Sequence, residues 1–274
     1  MFVRFWGVRG SLACGGKNYS KYGGNTSCIE VMCGPFLFIF DAGTGIRSLG
    51  YNLINNKSSS NIDLDLFLTH WHLDHVVGLP FFKPLYYQNN HINIWTADLW
   101  KNKSTKDLVK DLMQEPFFPV TPDIFKAHVH YHTIPMHNII EPRPGVTIQT
   151  LRLNHPNEAV GYRLTYQGRS ICYCTDHEHG NQKMDDALID FIKNADIFIY
   201  DSTYTDEEYN RCCGWGHSTW QVGIDFAKKA GVKTFVAFHH DPGHDDYFLD
   251  QVDIDLKKTF SQAHIAYEGL ILPL

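Results

Sequence analysis

Residues 69–75, THWHLDH, follow directly on the apolar run DLDLFL, and this junction constrains the chain more than any other stretch. DLDLFL reads as a strand entering a covered sheet, so His70, His72, Asp74 and His75 arrive together at a strand end. Metal-ligating side chains at one strand end are useful only if donors from other strands converge on them, because the sheet fixes the backbone while the loops project. If the segment stays extended, His70 and His72 point the same way, while Asp74 and His75 come from the turn that follows and face a second point nearby. That arrangement suits two metal ions.

Strands to complete such a site are present. Short runs rich in β-branched and aromatic residues recur as VRFWG, CIEVMC, FLFIFDA, LDLFLTH, INIWTA, HVHYHTI, VTIQTLRLN, AVGYRLTY, RSICYCTD, DIFIYDS and KTFVAFHH. Helical spacing of apolar residues predicts helices at 45–55, 105–114, 185–194, 219–230 and 247–261. The early strands come largely without helices between them, which does not fit a doubly wound sheet. The expectation is an α/β fold in which two sheets pack face to face under covering helices, as one domain over residues 1–274. NNKSSSN at 55–61 reads as a surface loop. His155, Asp176 and His239 each follow directly on an apolar run and are candidate ligands to set beside the HWHLDH cluster.

Composition narrows the partners. Sixteen histidines are many for 274 residues, and a net charge of −6 gives no general attraction to polyanions. MFVRFWGVRGS carries arginines and turn glycines in place of an apolar leader, and no run approaches the roughly 20 apolar residues of a membrane span. A cytoplasmic protein without a membrane partner is expected. The 7 cysteines form no C-x-x-C pair and read as reduced thiols, with Cys172 and Cys174 on one face of a strand and Cys212 and Cys213 in a loop.

HWHLDH followed in order by His155, Asp176 and His239 resembles the metallo-β-lactamase-fold hydrolases over nearly the whole chain. The resemblance implies an αββα sandwich, two mixed β-sheets flanked by helices, with a binuclear site at the strand ends. It would place His70, His72 and His155 on one ion, Asp74, His75 and His239 on the other, and Asp176 between them. Two divalent ions are implied, zinc first, although the same ligands accept manganese or iron. FDAGTG would put Asp41 behind the ligand loop as an orienting residue; on the residues alone, a helix cap before 43–46 competes with that role.

Such a site permits hydrolysis of amides, lactones, thioesters or phosphodiesters, and the fold does not choose among them. DSTYTDEEY at 201–209 and GWGHSTWQVG at 214–223 add a discriminator. His217 precedes Ser218 and Thr219, which can cap the next helix, and Asp201 can hold its other ring nitrogen, leaving an oriented acid for a phosphoryl group. The pair resembles the acid-x-T-Y and H-S-T elements of the family's phosphodiesterase branch, which includes transfer-RNA 3′-processing endonucleases and phosphonate-pathway cyclic phosphodiesterases. FWGVRGS, YGGNTSCIEV and FHHDPGHDD resemble its phosphoribosyl-cyclic-phosphodiesterase-like group. His217, Asp201 and the ligand Asp74 form the expected catalytic set.

The endonuclease relatives carry a long basic, glycine-rich arm; the sequence has no such insert and no basic run with interleaved aromatics. A small phosphodiester, such as a cyclic nucleotide or cyclic sugar phosphate, is therefore expected ahead of long nucleic acid. PFFPVTPDIF, within 95–135, is a candidate pocket wall, sheet-edge plug or dimer contact, and the resemblance implies a homodimer. Arg9 and Asn25 are candidates for substrate contact or turn formation. Asp241 and Asp245 are candidate supports for His239, while His177, His179 and His240 are read as surface or supporting residues. Three alternatives stay open: a lactone or thioester hydrolase, an RNA endonuclease, and a sensor that binds metal or nucleotide without turnover.

Overall fold

The computed structural model describes residues 1–56, 61–100 and 102–274; the centre of the NNKSSSN stretch, 57–60, lies outside the described residues. One sheet runs β14 (Ile271–Pro273), β1 (Phe2–Gly7), β2 (Cys28–Cys33), β3 (Phe36–Phe40), β4 (Asp63–Leu68), β5 (His91–Ala97) and β6 (His128–Ile134). The other runs β13 (Ala263–Ile265), β12 (Thr234–Phe238), β11 (Ile197–Asp201), β10 (Arg169–Cys174), β9 (Ala159–Tyr166), β8 (Val146–Leu153) and β7 (Ile139–Arg143). Both sheets change character part-way: β14 to β3 and β7 to β10 pair antiparallel, whereas β3 to β6 and β10 to β13 pair parallel.

Parallel neighbours require crossovers, and helices supply most of them. α1 (Gly45–Asn56) joins β3 to β4, α4 (Gln182–Phe191) joins β10 to β11, α5 (Asp206–Cys212) and α6 (Trp220–Ala230) join β11 to β12, and α7 (Asp246–Thr259) joins β12 to β13. Two more helices, α2 (Leu73–Val76) and α3 (Thr105–Leu112), flank β5 in sequence. The sheets meet through Phe5, Phe38, Phe40, Phe67, Tyr162, Tyr173 and Phe238. Behind one sheet, Ile46 and Leu49 of α1 pack on Ile39 and Leu66; behind the other, Leu188, Ile224 and Leu256 pack on Phe198 and Phe235. The result is the αββα sandwich, and no helix among the described residues is long and apolar enough to cross a membrane.

The departures from the sequence reading have local causes. β7, β13 and β14 were not anticipated; all three are sheet edges, two are three residues long, and β7 and β14 contain proline, so each lacks the long apolar signature of a central strand. α4 starts earlier than expected because Asn181 caps it by accepting from the Met184 amide. α5 is a polar helix fixed by a capping box between Thr205 and Glu208, so Cys212 closes a helix instead of lying in a loop.

What this topology does for function lies at the carboxyl ends of the parallel strands. Asp41, Asp176 and His239, just past β3, β10 and β12, all have left-handed backbones, with φ of 61°, 58° and 66°. Such φ values are uncommon for residues other than glycine and collect where a chain must turn sharply to aim a side chain.

Candidate metal centre

β4 ends at Leu68, and the chain then turns through His72 into α2, whose first turn carries Asp74 and His75. β8, β10 and β12 bring His155, Asp176 and His239 to the same place. Four ligand atoms form a tight group: His75 Nε2 lies 3.2 Å from both Asp74 Oδ2 and Asp176 Oδ2, and His239 Nε2 lies 3.2 and 3.4 Å from the same two oxygens. Ligands around a tetrahedral ion at about 2.0–2.2 Å are roughly 3.3 Å apart. Beside it, His72 Nδ1 is 3.1 Å from His155 Nε2, and the other oxygen of Asp176 is 3.6 Å from His155 Nε2 and 3.8 Å from His70 Nε2. Ligand atoms of His70, His72 and His155 all lie within 4.8 Å of one another, as do those of Asp74, His75 and His239. Asp176 faces both groups with different oxygens.

The ring nitrogens pointing away from the centre are held. His75 Nδ1 contacts Asp41 at 2.8 Å, His239 Nδ1 contacts Thr203 Oγ1 at 3.0 Å, and His155 Nδ1 donates to the Gly216 carbonyl at 2.8 Å. His70 Nδ1 lies 3.1 Å from Thr69 Oγ1, which itself donates to Asp41. These contacts favour a proton on Nδ1 and so turn each Nε2 lone pair inward, as a metal-ligating histidine requires. His70 Nε2 is buried with no hydrogen-bond partner, an orphan that a metal ion would satisfy.

Charge makes the same demand. Asp41, Asp74, Asp176 and Asp201 are buried together, and no lysine or arginine among the described residues pairs with any of them. Burial holds the pKa values of His70, His72 and His155 below the ordinary imidazole value, which favours the neutral form a metal ligand needs. Burial also disfavours charge on His75, but Asp74, Asp176 and Asp41 outweigh it and push its pKa well up. Carboxylates that raise the pKa of a fully buried imidazole call for cations among them, and divalent ions fit the donor set.

His217 stands at the edge of this cluster, its ring centred 5.0 Å from that of His239 and 5.3 Å from that of His155. Asp201 Oδ2 holds its Nδ1 at 2.8 Å and also accepts from the Asp176 amide, while Oδ1 accepts from Thr203 and from the Ser218 amide. Thr219 caps α6 directly after it by accepting from the Val222 amide. Burial disfavours the imidazolium of His217, but Asp201, with Asp176 and Asp74, pushes its pKa up to about 9.

Sequence reasoning missed Glu178. Its carboxylate accepts from the Gly214 and Gly216 amides at 2.6 and 2.7 Å and from the Tyr209 hydroxyl at 3.1 Å. It therefore anchors the loop that presents both the Gly216 carbonyl to His155 and the His217 side chain. Gly216 has φ 91°, and a Cβ there would lie 2.3 Å from His155 Nδ1, so the loop needs glycine. The signal available in sequence was an acid two residues after Asp176, with no spacing rule to connect it to residues 214–217.

Other candidates fall elsewhere. Arg9 is fully buried and donates to the Gly23, Asp241 and His244 carbonyls, and Asn25 binds Glu268, so both fasten loops and neither faces the cleft. The neighbouring Ser11 amide does reach the centre, donating to Asp74 Oδ2 at 2.7 Å. Asp245 caps α7 and Asp241 accepts from the Gly243 amide; neither contacts His239, because both lie on the turn that leads away from it. His240 is buried against the Ala266 carbonyl and His177 against Asp185, while the half-buried His179 contacts Ser218. Phe118, Pro119 and Val120 of PFFPVTPDIF line a groove with Arg47, Tyr51 and Phe81 in which no candidate ligand takes part, whereas Trp100, Lys103 and Leu108 line a cleft shared with His70 and His72.

Residues 37–240 match the family model described as the beta-lactamase superfamily domain. The ribonuclease Z of Picrophilus torridus is 23% identical, with 98% of this chain and 94% of its own length covered, and that of Myxococcus xanthus is 21% identical over 89% and 88%. Among solved structures, human tRNase Z, short form, superposes with a TM-score of 0.68 at 20% identity, covering 100% of this chain and 99% of its own. A diphosphatase from the PhnP family superposes with a TM-score of 0.71 at 18% identity, covering 100% and 97%.

Proposed function

The chain belongs to the beta-lactamase superfamily, and from that premise we propose that it is a metal-dependent phosphodiester hydrolase working on a small substrate. In this reading residues 1–274 act as one domain. His70, His72 and His155 would hold one divalent ion, Asp74, His75 and His239 would hold a second, and Asp176 would serve both, with zinc expected and manganese or iron compatible with the same donors. When bound, such ions supply a water ionised near neutral pH and positive charge for the phosphoryl oxygens. The chain's own residues do the rest. Asp41, Thr203 and Gly216 fix the ligand rings, and Ser11 steadies Asp74. Asp201 holds His217 protonated and aimed, so that it donates its proton to the leaving alkoxide.

The observation that carries this reading is the Asp201–His217 pair, 2.8 Å apart and beside the ligand cluster. A thioester hydrolase of this fold expels a thiolate and would leave that oriented imidazolium without a task. The ribonuclease Z name of relatives matched over nearly their whole length points to the same bond type, and it favours an RNA endonuclease as the second reading.

The test is hydrolysis of bis(p-nitrophenyl) phosphate, 2′,3′- and 3′,5′-cyclic nucleotides and a labelled transfer-RNA precursor by protein reconstituted separately with zinc and manganese. Turnover of the small diesters, with the precursor left intact, is expected. Cleavage of the precursor alone would replace the small-substrate reading with the nuclease one. A fully metallated protein inert to all of them would end the phosphodiesterase reading.

A further inference from the structure

The cleft beside the metal centre has a composition of its own. It encloses about 280 Å3 and is lined by His70 and His72 on one side and by Trp71, Trp100, Lys103, Leu108 and Asn157 around the rest. Because two candidate ligand residues form part of its wall, a molecule whose phosphorus sits at the centre has this space beside it for one substituent. The volume lies at the low end of small-molecule pockets, which are roughly 300–1,000 Å3, and suits one ring system.

The lining distinguishes kinds of substituent. Trp100 is 39% exposed at the cleft, an indole left in water without a partner side chain stacked on it among the described residues. Trp71 sits between two candidate ligands, so its backbone is fixed by theirs. Indole faces reward flat π-systems over aliphatic or polyhydroxyl groups. Lys103 carries its ammonium at the mouth, half-exposed and paired with Asp111 on the surface. Surface pairs of that kind hold weakly, so the cation is available to an anionic or carbonyl oxygen. Asn157, whose amide nitrogen lies 3.4 Å from His72 Nε2, adds a donor and an acceptor for a polar ring edge.

We infer that this cleft is a base-binding subsite, and that the substrate class is a nucleoside phosphodiester in preference to a cyclic sugar phosphate without a base. The inference rests on the phosphodiesterase reading for its chemistry but makes a separate claim about recognition. A sugar phosphate would fill the centre and leave the exposed Trp100 indole idle, whereas a nucleobase would stack against it, beside Trp71, which also packs on the core, while Lys103 and Asn157 meet its polar edge or the neighbouring phosphate.

The test is equilibrium binding of AMP and of ribose 5-phosphate to zinc-loaded protein, with metal content measured for every variant. AMP is expected to bind at least about fivefold more tightly than ribose 5-phosphate, the low end of a base-stacking contribution. Trp100→Ala should remove most of that preference while leaving ribose 5-phosphate affinity within about twofold, and it should raise KM for 2′,3′-cyclic AMP with little change in kcat. Trp71→Phe, which keeps a ring, should retain part of the preference. Equal binding of the two ligands, binding of neither, or a preference that survives Trp100→Ala overturns the subsite. If AMP is preferred as described but no phosphodiester is cleaved, the subsite stands and the catalytic reading fails; hydrolysis without base preference gives the reverse.

Discussion

The two sheets furnish the same centre by opposite routes. From the first, His70, His72, Asp74 and His75 arrive on one turn after β4; from the second, His155, Asp176 and His239 come singly from separate strand ends, and His217 from the loop before α6. Each side also has one buried carboxylate that does not belong to the inner ligand groups. Asp41, after β3, braces His75, Thr69 and, across the sheets, the Tyr173 hydroxyl. Asp201, closing β11, braces His217, Thr203 and the Asp176 amide. Under the proposed function the comparison amounts to a division of labour: the first side would concentrate metal affinity in a local cassette with its own brace, and the second would add, through an equivalent brace, the residue that handles the leaving group.

The largest effect should come from the residue that joins the two sides. Asp176→Ala removes a contact of both ligand groups, and metal content should fall well below two ions per chain, with turnover reduced on the order of 1,000-fold or more. Mass spectrometry under native conditions and colorimetric turnover check this. A variant that keeps two ions and ordinary activity would dissolve the shared centre.

Next is His217→Ala, which should retain two ions and lose on the order of 100- to 10,000-fold in kcat, the range for a general acid. Its pH signature follows from the raised pKa. The imidazolium is present below about 9 and is lost as pH rises through that value, so wild-type kcat should fall on the alkaline side. Bound cations act against the carboxylates and move that limb toward lower pH. In His217→Ala the alkaline limb should vanish, and its persistence would assign the proton to another group.

The two braces give the sharpest comparison. Asp41→Asn should weaken metal affinity about 10- to 100-fold through His75, with near-normal kcat at saturating metal. Asp201→Asn should leave affinity closer to the wild type and instead lower kcat and move the alkaline limb down, because His217 loses the main charge that sustains its proton. Competition with a zinc chelator and a pH profile of each variant decide the matter. Identical behaviour of the two variants would show that the braces are interchangeable and that the division of labour is wrong.

The cassette was legible because its donors are local: H-x-H-x-D-H is a spacing, and it follows a strand that announces itself. His155, Asp176 and His239 were legible at one remove, since each ends an apolar run and the resemblance gives them an order. Edge strands β7, β13 and β14 were not, because short or proline-bearing edges lack the pattern that burial imposes on central strands. Arg9 stayed open between substrate contact and turn formation for a related reason: charge in a glycine-rich turn suits either, and the three carbonyls that hold it come from residues 23, 241 and 244, a convergence only the fold supplies. Cleft residues Trp100 and Lys103 lie in a segment singled out from sequence, yet the aromatic cluster within it, at 116–125, faces another groove.

Glu178 is the hardest of these to read and the source of the smallest expected effect. It touches no ligand atom; burial disfavours its charge, but the bonds it accepts from the Gly214 and Gly216 amides and the Tyr209 hydroxyl more than offset that cost and hold its pKa below the ordinary glutamate value. Because one loop carries both the Gly216 carbonyl and His217, loosening it should disturb the two sides of the centre together. Glu178→Gln keeps the size and one acceptor oxygen but loses the charge, and both metal affinity and kcat should drop about tenfold, the lower range for groups that orient ligands. Glu178→Asp, which restores charge on a shorter arm, should recover part of each. Loss of thermal stability with both parameters intact would reduce Glu178 to a loop anchor; a fall in kcat alone would mean that the loop serves His217 and leaves His155 undisturbed.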